Sequence, residues 1–159
     1  MAKNKDNKTN AMRILDRQGI SYEAEFYECE NFIDGIHTAD MLGLSHELVY
    51  NTIVTVGNSR NYYVFVIPIE ASIDFKKAAQ SVGEKSVELL PLKEITAVTG
   101  YVRGGCTSVG MKKKYVTRID VSAQKLEYMV VSGGRPGVQL RLRPEDLRRA
   151  AEAEFADVV

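Results

Sequence analysis

Cysteine and histidine are scarce in this chain. Its 159 residues include two cysteines, Cys29 and Cys106, and two histidines, His37 and His46. No Cys/His spacing matches that of a zinc site, and two cysteines make a disulfide framework unexpected. Two histidines are too few to assign a metal centre or a catalytic triad, and a helical histidine such as His37 is more often structural. These absences argue against a structural zinc site and against a disulfide-stabilised scaffold.

The chain also lacks a net charge and a long apolar segment. Lysine plus arginine and aspartate plus glutamate number 21 each, so the formal net charge is zero. This balance argues against bulk electrostatic coating of nucleic acid, but it allows a local basic patch at Lys112–Lys114. The longest apolar run, Tyr62–Ile69, is too short to span a bilayer. The polar, lysine-rich first residues do not resemble a signal peptide, so we expect a cytoplasmic protein.

The length and composition are those of one globular domain. Apolar residues make up 45% of the chain and charged residues 26%, ordinary values for a globular protein. We predict a disordered tail at residues 1–8 and a single domain at residues 9–159.

Local patterns predict a mixture of helices and strands. Thr9 or Asn10 caps a first helix that Gly19 ends, and Pro144 begins a closing helix that extends to Phe155. Between them, short helices are predicted at 34–44, 74–83 and 91–100, and strands at 20–28, 52–56, 61–69, 86–90, 115–120, 126–133 and 137–143. Several neighbouring strands have no helix between them, which favours a mixed α/β sheet or barrel over a doubly wound parallel sheet.

The segment Gly100–Tyr115, GYVRGGCTSVGMKKKY, is the most unusual stretch. It has neither the Gly-Lys-Ser/Thr triplet of a P-loop nor the dinucleotide-binding spacing. Its glycines allow the backbone to present N–H groups to an anion or a carbonyl, and the lysines that follow can meet phosphates. A surface turn with a solvated run of lysines is the alternative.

Two further features accompany this loop. Cys106 has no histidine near it in sequence, so a small buried thiol is the simpler interpretation than a nucleophile. The segment Val130–Gly137, VVSGGRPG, is a second glycine turn between two strands. A hairpin explains it, but two such turns in a small domain can also line one cleft.

Several motifs together resemble those of a known family. These are TGYVRGGCTSVGMKKKY, YMVVSGGRPGVQLRLRPEDL, FKKAAQSVGEKSVELLP and TNAMRILDRQGISYE, and the similarity covers roughly residues 9–155. The chain is similar to the YbaK/EbsC family of Cys-tRNA(Pro) deacylases, which are related to the insertion domain of bacterial prolyl-tRNA synthetase.

The resemblance implies a fold, an activity and a set of site residues. The implied fold is a mixed, barrel-like β-sheet flanked by helices, and the implied activity is trans-editing hydrolysis of cysteine mischarged on proline tRNA, beside prolyl-tRNA synthetase. No metal, no cofactor and no protein nucleophile are implied, because the substrate's own thiol is proposed to attack its ester. The implied catalytic positions are Asn51, Gly104 and Gly105. The substrate-binding residues implied are Tyr27, Thr52, Ser132, Gly133, Gly134 and Gln139, and the tRNA-binding residues implied are Lys112, Lys113 and Lys114.

The chain departs from the family pattern at Asn51, within VYNTIV, where family members carry a lysine. An amide donates a neutral hydrogen bond, whereas a lysine donates a charge-assisted one of roughly twice the strength. Three explanations stay open: a disabling substitution made to trap substrate, a natural member of weakened activity, or another cation that compensates, such as one of Lys112–Lys114. A softer departure is Gln139, where some members have aspartate.

Two alternatives to the Cys-tRNA(Pro) deacylase follow from the same residues. One is a non-catalytic module that binds tRNA 3′ ends or a synthetase. The other is a deacylase for another small amino acid, such as alanine, on tRNA(Pro).

Overall fold

The fold is a mixed α/β architecture built on two β-sheets, as the sequence predicts. The computed structural model describes residues 8–29 and 34–159. The predicted disordered tail therefore lies outside the described residues except for Lys8, which forms an ion pair with Asp16. Within the described ranges, no helix is both long enough and apolar enough to cross a membrane.

The elements follow one another along the chain in short segments. The α-helices are α1 (Asn10–Arg17), α2 (Gly35–Leu42), α3 (Phe75–Val82), α4 (Ile95–Thr99) and α5 (Pro144–Ala151). The strands are β1 (Glu23–Phe26), β2 (Tyr50–Gly57), β3 (Tyr62–Pro68), β4 (Val87–Leu89), β5 (Val116–Asp120), β6 (Met129–Ser132), β7 (Val138–Leu142) and β8 (Glu154–Ala156). Single 3₁₀ turns occur at His46–Leu48, Leu92–Glu94 and Val121–Lys125.

Two sheets divide these strands. The larger has the order β4-β2-β3-β5-β8, with β2 antiparallel to β3 and β4, and with β5 parallel to β3 and β8. The smaller has the antiparallel order β1-β7-β6. A parallel bridge between Val49 and Val130 joins the two sheets. Among the described strands the sheets do not close into a barrel. The mixed sheet that the sequence predicts is divided into two linked sheets.

The main hydrophobic core lies where both sheets meet α1 and α5. Leu15 of α1, Leu140 of β7 and Leu147 of α5 are at most 1% exposed and belong to one apolar cluster. A second cluster packs α3 against the larger sheet around Phe65 of β3, which is fully buried. The nearly all-apolar β3 is therefore buried on both faces, as its sequence predicts.

The C-terminal prediction is partly wrong. The closing helix begins at Pro144 as expected, but it ends at Ala151 instead of Phe155. Glu152 adopts a left-handed conformation with φ 52°, which turns the chain back. Residues 154–156 then form β8 beside β5. The run of alanines and glutamates favours a helix locally, but pairing with the sheet edge prevails.

The start of α1 forms hydrogen bonds to both glycine turns. The Thr9 hydroxyl accepts a hydrogen bond from the Met12 N–H at 3.2 Å and donates one to the Gly133 carbonyl at 2.6 Å. The next residue, Asn10, donates its side-chain amide to the Gly110 carbonyl at 3.4 Å. One helix terminus thus holds both the loop that contains Gly110 and the hairpin that contains Gly133.

Replacing Thr9 is expected to destabilise the protein. Thr9→Ala removes a helix cap and a buried hydrogen bond, which together are worth about 1–3 kcal/mol of unfolding free energy. Urea denaturation measures this change. Thr9→Ser is the matched control because it keeps the hydroxyl, and we expect it to stay within about 1 kcal/mol of the wild-type value. Equal loss in both variants would show that the hydroxyl is not the stabilising group.

Candidate active site

A cavity of about 310 Å³ opens between the two sheets. Its floor is β2, from Tyr50 to Val54, and its sides come from the loop after β1, the start of α2, the segment around α4, the glycine loop and the β6–β7 hairpin. Apolar side chains such as Ile53, Leu90 and Ile95 alternate with a few polar groups. This combination is typical of a pocket that buries an organic ligand and orients it through selected hydrogen bonds.

The smaller sheet supplies a polar wall. Ser132 and Gln139 are direct cross-strand partners on β6 and β7, and the Gln139 amide donates to the Tyr27 hydroxyl at 3.2 Å. Tyr27 is held in turn by its backbone N–H, which donates to the Gly137 carbonyl at 2.9 Å. The Ser132 hydroxyl is buried and has no hydrogen-bond partner among the described residues. A buried hydroxyl normally has a partner, so this one is suited to a ligand group.

On the cavity floor, Asn51 lies beside the start of α2. A Cβ atom at Gly35 would lie 2.8 Å from Asn51 Oδ1 and 2.7 Å from Ile69 Cγ2. The absence of a side chain at Gly35 is therefore what allows α2 to begin directly beside Asn51. Asp34, which also lines the cavity, caps this helix by accepting from the His37 N–H at 2.8 Å.

The glycine loop and the hairpin contact each other backbone to backbone. A Cβ atom at Gly105 would lie only 2.5 Å from the Cα atom of Arg135. The Gly105 N–H donates to the Val102 carbonyl at 3.0 Å and closes a tight turn. Gly104, which has φ 87° in the left-handed region, is the member of the pair that lines the cavity. The two glycine turns thus border one cleft.

Cys106 lines the cavity, but its environment suppresses the thiolate. Burial raises the pKa of the Cys106 thiol to about 11, because a low-dielectric environment disfavours the charged form. A nucleophilic cysteine requires the opposite shift and a neighbouring base. Neither histidine is among the residues that line the cavity. The arrangement therefore supports the interpretation of Cys106 as a packing residue.

The raised pKa predicts slow alkylation of Cys106 at neutral pH. In a Cys29→Ser background, the rate of reaction with iodoacetamide is expected to rise about tenfold per pH unit from pH 7 to pH 10 without reaching a plateau. Mass spectrometry of the alkylated protein measures this rate. A short unstructured peptide that contains one cysteine, run in parallel, should level off above the ordinary thiol pKa of about 8.5. A plateau for Cys106 below pH 9 would contradict the prediction.

The structure brings many of the predicted site residues together. Those that line the one cavity are Tyr27, Asn51, Thr52, Gly104, Ser132 and Gln139. Gly105, Gly133 and Gly134 lie behind this wall in the two turns, where the Gly133 N–H donates to the Val138 carbonyl at 2.8 Å. These three glycines thus support the cavity wall from behind. The catalytic or binding role of each predicted site residue stays a prediction.

The three lysines lie apart from the cavity. Lys112 donates to the Ala97 carbonyl at 3.1 Å, and Lys114 forms an ion pair with Glu152 at 2.7 Å. Lys113 and Lys114 border a second cavity of about 230 Å³ near the end of α5. The predicted contact of these lysines with RNA remains a prediction, but none of them is among the residues that line the first cavity.

Sequence reasoning missed other residues of the cavity wall. Asp34, Gly35 and Arg103 line it, and so do Leu89 and Leu92. Two signals in the sequence could have identified some of these residues. Asp34 and Gly35 form a helix-capping pair before a helical pattern, and Arg103 immediately precedes the predicted site residue Gly104. In the part of the chain that the structure describes, no group of three or more His, Cys, Asp or Glu side chains is arranged to hold a metal ion.

Solved structures of other proteins share this fold. One is described as "a putative trans-editing enzyme for prolyl tRNA synthetase"; it is 21% identical, has a TM-score of 0.80, and the match covers 94% of this chain and 97% of that one. Another, described as a hypothetical protein, is 23% identical with a TM-score of 0.82, and the match covers 92% and 96% of the two chains. At identities below 25%, this structural similarity establishes the fold class of the chain.

The sequence assigns the family. The model of the aminoacyl-tRNA editing domain matches residues 36–150, and the chain belongs to this family. It is also 40% identical to an Enterococcus faecalis protein named "Putative Cys-tRNA(Pro)/Cys-tRNA(Cys) deacylase EbsC", over 99% of this chain and 98% of that protein. The family resemblance and the fold expected from the sequence are thus confirmed.

Proposed function

We propose that this protein is a trans-editing hydrolase that removes cysteine from mischarged Cys-tRNA(Pro). The observation that carries the proposal is the convergence of Tyr27, Asn51, Gly104, Ser132 and Gln139 in one cavity of a chain that belongs to an aminoacyl-tRNA editing family. The name of the 40% identical relative, which the chain matches over nearly its full length, supports the same reaction class and the cysteinyl substrate.

The proposed reaction needs orientation more than a reactive side chain. In the aminoacyl ester, the substrate thiol attacks its own carbonyl carbon, a C–S bond forms, and the ester C–O bond breaks. The thiol proton ends on the ribose oxygen that leaves, and water then hydrolyses the resulting thiolactone to free cysteine. Holding thiol and carbonyl in contact supplies much of the acceleration, which a confined cavity with apolar walls provides.

The polar groups of the cavity have distinct parts in this proposal. The Gly104 backbone N–H is the candidate donor to the oxyanion, since the Gly105 N–H already donates to Val102. The buried Ser132 hydroxyl, which lacks a partner among the described residues, hydrogen-bonds the substrate. Asn51 donates a neutral hydrogen bond from the cavity floor, which is weaker than one from a cation.

A deacylation assay tests the proposal and the role of Asn51. The wild-type protein is expected to release labelled cysteine from Cys-tRNA(Pro) faster than the uncatalysed reaction. Asn51→Ala should be slower, and Asn51→Lys should be about five- to tenfold faster, because a charge-assisted hydrogen bond replaces a neutral one. Single-turnover kinetics measure each rate. Asn58→Lys, the same substitution at an exposed position in the turn after β2, is the matched control and should leave the rate unchanged.

The possible outcomes separate the candidate functions. If neither the wild type nor Asn51→Lys accelerates loss of the ester, the deacylase proposal is wrong. Activity in the Lys variant alone identifies Asn51 as a disabling substitution. Binding of charged tRNA without turnover, unchanged by Asn51→Lys, favours a non-catalytic module. A panel that includes Ala-tRNA(Pro) distinguishes a deacylase for alanine from one for cysteine.

The proposal includes prolyl-tRNA synthetase as a cytoplasmic partner. With a formal net charge of zero, the protein has a weak electrostatic basis for capturing tRNA alone, because RNA affinity rises with the number of phosphate contacts. A synthetase that already holds the tRNA would supply the missing affinity. We therefore expect the synthetase to lower the KM for Cys-tRNA(Pro), and a KM that the synthetase does not change would argue against the partnership.

A further inference from the structure

The cavity wall carries few charges. Among the described residues that line it, Asp34 and Arg103 are the ones with a charged side chain. The Asp34 carboxylate is engaged in capping α2, where it accepts from the His37 N–H and lies 2.8 Å from the His37 ring nitrogen Nδ1. Arg103 is thus the residue that gives the described part of this wall a positive charge.

Arg103 lies at the mouth of the cavity. It is exposed and immediately precedes Gly104 in the tight turn that the Gly105 N–H closes onto Val102. Backbone contact between Gly105 and Arg135 fixes this turn against the β6–β7 hairpin. The backbone that carries Arg103 is thus held in place on both sides, which limits the positions that its guanidinium can reach.

The proposed substrate presents an anion at this point. In an aminoacyl-tRNA the amino acid is esterified to the terminal ribose, and the 5′-phosphate of the same nucleotide leads to the rest of the RNA. When the aminoacyl group occupies the cavity, that phosphate must stay at the mouth, because the RNA continues outward. A guanidinium matches a phosphate with two parallel hydrogen bonds and keeps its charge at every physiological pH.

We propose that Arg103 binds the 5′-phosphate of the terminal nucleotide and so anchors the aminoacyl end of the tRNA at this cavity. This inference rests on the proposed function, and it identifies the cation of the site as a residue of the glycine loop itself. Lys112 and Lys114, which do not line this cavity, are not needed for this contact.

Binding of two small probes tests the inference without any turnover. The full-length protein is titrated with adenosine 5′-monophosphate and with adenosine, and binding is followed by NMR. We expect the wild type to prefer the monophosphate at least about tenfold, the usual gain from hydrogen bonds to a charged group. Arg103→Gln should abolish this preference, and Arg103→Lys should keep part of it. Equal binding of the two probes to the wild type, no binding of the monophosphate, or an unchanged preference in Arg103→Gln would overturn the inference.

A matched control and a kinetic readout complete the test. Arg17→Gln removes the same charge from an exposed position at the end of α1, and it should retain the wild-type preference. In the deacylation assay, Arg103→Gln should raise KM at least about tenfold and change kcat little, because the contact is made equally in the ground and transition states. Inactivity of both the wild type and Asn51→Lys would refute the proposed reaction, whereas the probe titration reports on Arg103 independently.

Discussion

The close approach of two glycine turns is the contact on which the site depends. Gly105 lies so near the backbone of Arg135 that a single methyl group would not fit between them. This approach brings the loop that contains Gly104 beside the strand ends that contain Ser132 and Gln139. Thr9 keeps the second turn in place through its hydrogen bond to Gly133. Without these contacts the polar wall and the glycine loop would belong to separate surfaces instead of one cleft.

The cavity is organised by hydrogen bonding more than by charge. Tyr27, Ser132 and Gln139 form a neutral wall, Asn51 is neutral, and the Cys106 thiol is kept protonated because burial raises its pKa. A reaction on an activated ester suits such a site, since it needs a positioned carbonyl and an oxyanion donor. The single cation on the described wall is Arg103, and under the proposed function the phosphates of the RNA would lie beside it.

The neighbours of Asn51 confine its side chain to the cavity. Gly35 allows the start of α2 to touch it, and β3 pairs with its strand through Ile67, so its side chain is confined near the cavity floor. A longer side chain at position 51 would extend into the cavity. With a neutral amide at Asn51, the cavity floor from Tyr50 to Val54 carries no charged side chain.

The sequence by itself determined the local elements and the family. Asp74 caps α3 through the Lys76 and Lys77 N–H groups and Gly83 ends this helix in a left-handed conformation. Such signals act within a single turn of chain, so α1, α3 and β3 were predictable. Only the tertiary structure decided features that depend on distant contacts. β8 forms because β5 offers an edge, the pKa of Cys106 rises because the fold buries it, and Arg103 and Asp34 join one cavity. Residues far apart in sequence meet only when the sheets and turns pack, and no local pattern encodes that meeting.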